Sequence, residues 1–286
     1  MSDMQDRKKT ESINSWVQVI IFLAIYLLCF MALAALLPAA SPGELMWSLY
    51  LPITAASIIS IVLVLVFTKL VFKKDQTPIG LNFRGQERLA CSGACLGIFL
   101  ITSGSLILFA GNWLDWSKPE TQVSDILFLG GILLLSAFSE ELVFRGFILG
   151  RLLTKTNRFL ALMVSSAIFA LFHINNPEVS PMAVMNIFLG GLLLGITYTF
   201  NRNIWFGFML HFSWNFAQGP VFGIPVSGLV LPSIISSHIQ GPELITGGQF
   251  GLEASLVQGI LLLISCIGLW LLNTTENKTV ATAKKI

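Results

Sequence analysis

The sequence has few charged residues. Only 11% of its 286 residues are Asp, Glu, Lys or Arg, while 55% are hydrophobic. A typical soluble domain contains about 25% charged residues, so this composition excludes a soluble globular domain and indicates a membrane protein. The net charge of +2 is small. It gives no indication of a nucleic-acid partner.

The sequence has few cysteines and lacks the common zinc-binding pattern, so it gives little sign of a redox or metal centre. The four cysteines all fall in apolar runs, at Cys29, Cys91, Cys95 and Cys266. Such positions favour packing over redox or metal chemistry. No H-E-x-x-H pattern occurs in the sequence. Any zinc site would therefore have to take its ligands from separate segments of the chain.

Long apolar runs recur along the whole chain. They predict an all-α polytopic membrane protein, a bundle of about eight transmembrane helices with an intramembrane polar cavity. The fifth and seventh runs are short for complete spans. The predicted helices lie near residues 16–37, 49–72, 89–110, 125–150, 159–175, 182–200, 203–218 and 254–272.

Lys and Arg residues are concentrated in every second connection between the predicted helices, and the remaining connections contain only Lys118. The N-terminal tail and residues 73–88 are basic, for example, whereas residues 38–48 and 219–253 contain no Lys or Arg. Basic connections mark the cytoplasmic side of a membrane protein. The alternation predicts an integral membrane protein with both termini in the cytoplasm.

The chain divides into five predicted parts. The first three helices are almost free of ionisable residues and predict a lipid-facing support. The long loop, residues 219–253, is either a lid over a substrate or a surface loop without a role. Residues 274–286 read as a disordered polar tail. The parts are the cytoplasmic tail 1–15, three helices in 16–123, the core 124–218, the non-cytoplasmic loop 219–253 and the last helix with its tail 254–286.

Polar residues on three helices reach a similar depth in the membrane. With a rise of about 1.5 Å per residue, Glu140 lies roughly 15 Å and His173 roughly 21 Å from the cytoplasmic end. His211 and Asn215 lie roughly 12 and 18 Å deep. The hydrocarbon core is about 30 Å thick, and an ionisable residue at its centre costs about 2.5–3.5 kcal/mol. Their common depth therefore predicts a shared site.

The spacing of these residues suggests separate roles for the two carboxylates. Glu141 and Arg145 are four residues apart and can pair on one helix face. Glu140 points about 100° away from Glu141 and is therefore free to face a different partner than Arg145. This makes Glu140 the candidate general base. His211 and Asn215 also share a face and can donate hydrogen bonds to an oxyanion. Phe169 shares a face with His173 and serves as a packing residue.

Other interpretations of these polar groups stay open. One is a structural polar core without catalytic function, and another is a proton relay or transporter, because intramembrane Glu and His also mark ion paths. The sequence contains no inverted repeat that would favour a transporter. A non-catalytic immunity or scaffold protein would keep the same residues.

The three motifs resemble those of the CPBP family of intramembrane proteases, which covers CAAX prenyl proteases and bacterial bacteriocin-processing or immunity (Abi) proteins. The pattern E-E-x-x-x-R occurs as Glu140, Glu141 and Arg145, F-x-x-x-H as Phe169 and His173, and H-x-x-x-N as His211 and Asn215. The resemblance implies that Glu140 and His173 activate a water molecule. It implies that His211 and Asn215 stabilise the oxyanion, while Glu141 and Arg145 hold the site together.

The resemblance also implies a substrate class and a location. The substrate would be a membrane-associated, lipidated or small precursor peptide that enters from the membrane or the cytoplasmic side. The location would be a bacterial plasma membrane. A glutamate-activated water without a cofactor is the favoured mechanism. The alternative is zinc or another divalent metal held by Glu140, His173 and His211.

Overall fold

The computed structural model describes residues 14–37, 49–71, 79–118 and 123–283. The fold is an all-α membrane protein, as the sequence predicts. Eight labelled helices correspond to the eight apolar runs. They are α1 Ser15–Leu36, α2 Leu51–Val71, α3 Glu87–Ala110, α4 Val123–Leu152, α5 Arg158–Leu171, α6 Pro181–Asn201, α7 Trp205–Phe216 and α8 Leu256–Ala283.

Six of these helices are long and apolar enough to cross a membrane, counted over the described residues. The two exceptions, α5 and α7, correspond to the predicted fifth and seventh runs, which are short for complete spans. Polar side chains cap several of the helices at their N-termini. Asn14 caps α1, Asn157 caps α5 and Ser180 caps α6, each by accepting a backbone N–H. Such caps satisfy amides that have no partner within the helix.

Helix α5 ends four residues earlier than the predicted limit at residue 175. Its last residue is Leu171, and the chain then turns, with the amide of His173 bonded to the carbonyl of Ala170. The following sequence, Asn-Asn-Pro at 175–177, is typical of turns. The prediction that His173 lies within a helix is therefore wrong, because turn-forming residues end the helix before it.

Helix α4 changes its winding near the carboxylates. Residues Val123–Glu141 are α-helical, and Leu142–Leu149 form a π-helix before the chain returns to an α-helical turn. A shorter π-helical segment, Ala217–Val221, follows α7. Wide π turns inside α-helices are frequent at functional sites. The first segment lies within α4 and contains Arg145, and the second directly follows α7, which carries His211 and Asn215.

Two glycines allow α3 and α7 to approach closely. A Cβ atom at Gly97 would lie 2.6 Å from the carbonyl oxygen of Leu210, and one at Gly93 would overlap the carbonyl oxygen of Phe206. Small residues allow this kind of contact between membrane helices. The contact fixes the helix that carries His211 and Asn215 against the less polar α3.

The connections outside the helices form a small sheet. Strand β1, Leu114–Ser117, pairs antiparallel with strand β2, Ser236–Ile239, so the long loop is attached to the α3–α4 connection. The first 13 residues of the predicted tail lie outside the described residues. The prediction of a disordered tail from residue 274 is wrong as far as Ala283, because α8 continues to that residue.

Candidate active site

Glu141 and Arg145 form a buried ion pair on α4. Arg145 Nη1 donates to Glu141 Oε1 at 2.7 Å, and the two side chains are 2% and 0% exposed. The guanidinium also donates to the carbonyl of Gly191 at 3.1 Å and lies 4.6 Å from the centre of the Phe169 ring. Arg145 therefore connects α4 to α6 and α5.

Glu140 faces away from this pair, into a cavity. Its side chain is 26% exposed, and its Oε1 accepts a hydrogen bond from Ser136 Oγ at 3.1 Å. Its Oε2 is buried without a hydrogen-bond partner among the described residues. This oxygen therefore lacks a protein donor, and a bound water molecule or a substrate group would satisfy it.

His211 lies between the two carboxylates. Its Nδ1 is 3.1 Å from Glu141 Oε1, and its Nε2 is 3.9 Å from Glu140 Oε2. Because a carboxylate accepts hydrogen bonds, the Nδ1–H donates to Glu141. Arg145, Glu141 and His211 thus form a chain of contacts that fixes the imidazole. Its Nε2 donates toward the cavity when the ring carries both protons.

His173 approaches the same cavity from the turn after α5. Its Nδ1 is 2.7 Å from the carbonyl oxygen of Phe169, so the Nδ1–H donates to that oxygen and Nε2 keeps its lone pair in the neutral ring. The imidazole makes no hydrogen bond to Glu140 or His211 within the described part of the chain. These three side chains share a cavity rather than a direct contact.

Asn215 lies one helical turn beyond His211 on α7. It is half-buried and lines the cavity. Its amide makes no hydrogen bond to the residues that the structure describes. The amide N–H groups are therefore available to a carbonyl oxygen or an oxyanion in the cavity.

The cavity has a volume of about 380 Å³, which lies in the range of small-molecule binding pockets. Its walls combine the polar groups above with aromatic and aliphatic side chains. Helices α1 and α2, predicted as a support, also contribute to it, through Tyr26 and Ser60, whose hydroxyls are 3.0 Å apart. The apolar part of the wall includes Phe30, Ile53, Leu133, Phe144, Phe169, Phe172, Leu193, Leu194 and Leu210.

Glu253 is a further, half-buried carboxylate in the wall that the sequence analysis missed. It lies at the end of the long loop, just before α8, and accepts hydrogen bonds from Trp214 and Ser227. Burial raises the pKa of Glu253, although these hydrogen bonds act in the opposite direction. The loop contains only one other acidic residue, Glu243. No spacing pattern in the sequence distinguishes the two.

The donor groups do not form a recognisable metal site. Across the described ranges, no group of three or more His, Cys, Asp or Glu side chains is arranged to hold a metal ion. Glu140, His173 and His211, the alternative metal set, line one cavity without gathering into such a cluster.

A sequence model of the family described as "Type II CAAX prenyl endopeptidase Rce1-like" matches residues 122–217. This range covers α4 to α7 and includes all seven motif residues. It confirms the resemblance to CAAX proteases that the motifs indicate. A search of curated proteins finds no significant match.

Proposed function

We propose that the chain is an intramembrane endopeptidase that cleaves a lipidated or small precursor peptide with a water molecule activated by Glu140 and His173. The family match supports protease activity in a membrane. One observation carries the mechanism. The free Glu140 Oε2 faces His211 Nε2, and the cavity around them also includes His173 and Asn215.

The proposed reaction starts with the water molecule. Glu140 accepts a proton from the water while the water oxygen forms a bond to the scissile carbonyl carbon. The Nε2 of His173 holds the same water through its lone pair. The carbonyl electron pair moves to oxygen and gives a tetrahedral oxyanion.

Two donors then stabilise the oxyanion. The Nε2–H of a doubly protonated His211 and the side-chain amide of Asn215 lie on one face of α7, and both face the cavity. Collapse of the intermediate re-forms the carbonyl and breaks the C–N bond. Glu140 returns its proton to the leaving nitrogen, so the carboxylate is regenerated. Glu141 and Arg145 take no part in proton transfer and keep His211 in place.

The cavity supports a substrate with an apolar part. Its wall combines a small polar region with many aromatic and aliphatic side chains. An acyl or prenyl chain loses unfavourable contact with water in such a wall. A peptide attached to that chain would then reach Glu140 at membrane depth. We propose that both termini lie in the cytoplasm, as the distribution of Lys and Arg indicates.

Glu140→Gln tests the proposed base. The amide keeps the size of the side chain but is too weakly basic to accept the proton, so we expect hydrolysis of a lipidated reporter peptide by the purified protein to fall by at least about 10²-fold. The matched control is Glu243→Gln, which changes an exposed carboxylate in the long loop and should leave the rate unchanged. Full activity of Glu140→Gln at normal membrane levels would refute the proposal.

We also propose that the reaction needs no metal ion. The expected result is an unchanged cleavage rate after the purified protein has been treated with a strong chelator and passed through a desalting column. Loss of activity that returns on addition of Zn²⁺ would instead assign a metal to Glu140, His173 and His211.

A further inference from the structure

A tight hairpin in the long loop lies at the cavity, and we call it the roof hairpin, residues Val226–Leu229. Val226 and Leu229 exchange two backbone hydrogen bonds of 2.9 Å. The two central residues, Ser227 and Gly228, have φ values of 49° and 85°. Positive φ at both central positions is the geometry of a type I′ turn. Three of the four residues, Val226, Ser227 and Leu229, line the cavity.

The roof hairpin touches the turn that carries His173. A Cβ atom at Gly228 would overlap the carbonyl oxygen of Pro177, so only glycine fits both the φ value and the contact. The amide of Gly228 also donates to the carbonyl of Phe250 at 3.0 Å. The hairpin is therefore held between the His173 turn and the segment before α8.

Glu253 attaches the roof hairpin to the helix that carries Asn215. Its Oε2 accepts hydrogen bonds from the amide of Ser227 at 2.6 Å and from its hydroxyl at 2.9 Å. Its Oε1 accepts from the indole Nε1 of Trp214 at 3.1 Å, next to Asn215 in the chain. One carboxylate thus joins the roof hairpin and helix α7 to the segment before α8. Hydrogen bonds to a carboxylate are roughly twice as strong as neutral ones.

We propose that Glu253 is a positioning residue that holds the roof hairpin over the cavity and thereby limits the size of the side chain accepted beside the scissile bond. The inference rests on the proposed protease function. Glu253 does not contact the reacting atoms in this proposal, because its oxygens are already bonded to Ser227 and Trp214. Its influence passes through Val226 and Leu229, which form the apolar surface that the substrate meets.

Glu253→Gln breaks this attachment without changing the size of the side chain. In either orientation of the amide, its NH₂ group faces a donor, either the Trp214 indole or the two donors of Ser227. The variant therefore loses hydrogen bonds either to Trp214 or to Ser227. Ser227→Gly is a second, milder variant, because glycine tolerates the positive φ and removes only the hydroxyl bond. Glu243→Gln is the matched control.

The first readout is amide hydrogen exchange, which needs no substrate. We expect Glu253→Gln to speed exchange in peptides that cover residues 222–231 by about tenfold or more, and Ser227→Gly to give a smaller increase. Peptides from α3 and α6 should exchange as in the unmodified protein. Unchanged exchange at 222–231 would overturn the attachment. Faster exchange throughout the chain would mean that Glu253 is only a stability residue.

The second readout is selectivity, expressed as a ratio of kcat/KM values. Two reporter peptides differ only in having Ala or Trp beside the scissile bond, and the unmodified protein should favour Ala by about tenfold or more. Glu253→Gln should reduce this ratio at least about fivefold, because a loosened roof admits the larger side chain. A general loss of folded protein would lower both rates equally and leave the ratio unchanged, which would overturn the inference.

The two readouts separate this inference from the proposed function. If the unmodified protein cleaves no peptide, the protease proposal fails and the selectivity claim fails with it, while hydrogen exchange still decides whether Glu253 holds the roof. If cleavage occurs and the selectivity ratio does not respond to Glu253→Gln, only the positioning role is refuted.

Discussion

The outer and inner helices of the bundle differ in how much protein covers them. In the most hydrophobic stretch of each helix, 17% of the residues are buried in α1 and in α2, compared with 56% in α4 and 61% in α6. The helices with the larger buried share lie around the polar site. The comparison shows that this chain places ionisable groups in the membrane where other helices shield them from lipid.

The same contrast appears in single residues. On α1, Leu28 and Met31 are 63% and 68% exposed, and both are apolar. On α4, Glu141 and Arg145 are almost completely buried and form an ion pair that compensates both charges. An ionised group facing hydrocarbon would lack such a partner, and its insertion would be costly.

The largest effect is expected from breaking the buried pair. Arg145→Met leaves the Glu141 carboxylate without its strongest donor inside the bundle, so we expect a loss of about 3–5 kcal/mol in the free energy of unfolding. Thermal unfolding of the purified protein in detergent and its level in the membrane measure this loss. The double variant Glu141→Leu/Arg145→Met should recover part of the stability, because the Glu141 carboxylate is then no longer left buried without Arg145. A double variant less stable than the single one would contradict this account of the pair.

A smaller effect on stability but a large one on rate is expected at Asn215. Asn215→Ala removes an amide that has no hydrogen-bond partner among the described residues, so the folded state should lose little. If the amide binds the oxyanion, kcat for a reporter peptide should fall by about 10²–10³-fold with little change in KM. A change confined to KM would show that Asn215 binds the substrate without acting in the transition state.

The smallest effect is expected where an outer helix reaches the cavity. Tyr26→Phe removes the hydroxyl that bonds to Ser60 and keeps the ring in the wall. We expect a loss of about 1 kcal/mol in stability and a change in cleavage rate of less than about threefold. A loss of activity as large as that of Glu140→Gln would mean that α1 supplies a catalytic group. The contrast between outer and inner helices would then fail.

Much of the fold was predictable from single-helix patterns. Long apolar runs gave the eight helices to within a few residues for most ends, because the length of a span follows from the thickness of the bilayer. The Glu141–Arg145 pair was also predictable from the sequence, since residues four apart share a helix face. These features depend on spacing within one helix.

Features that depend on contacts between distant segments were not predictable in this way. Glu253 meets Trp214 across 39 positions, and Tyr26 meets Ser60 across 34. The end of α5 before His173 was missed because the apolar run continues past Leu171, while the turn-forming Asn and Pro follow only at 175–177. The sequence indicated which groups lie at membrane depth but not which walls enclose them.

A structure of the Glu140→Gln variant with an uncleaved peptide bound tests the central claim most directly. It should show the scissile carbonyl carbon beside residue 140, with the carbonyl oxygen within hydrogen-bond distance of His211 Nε2 or of the Asn215 amide. A peptide bound with its scissile bond outside the cavity, or with these groups turned away from the carbonyl, would contradict the account.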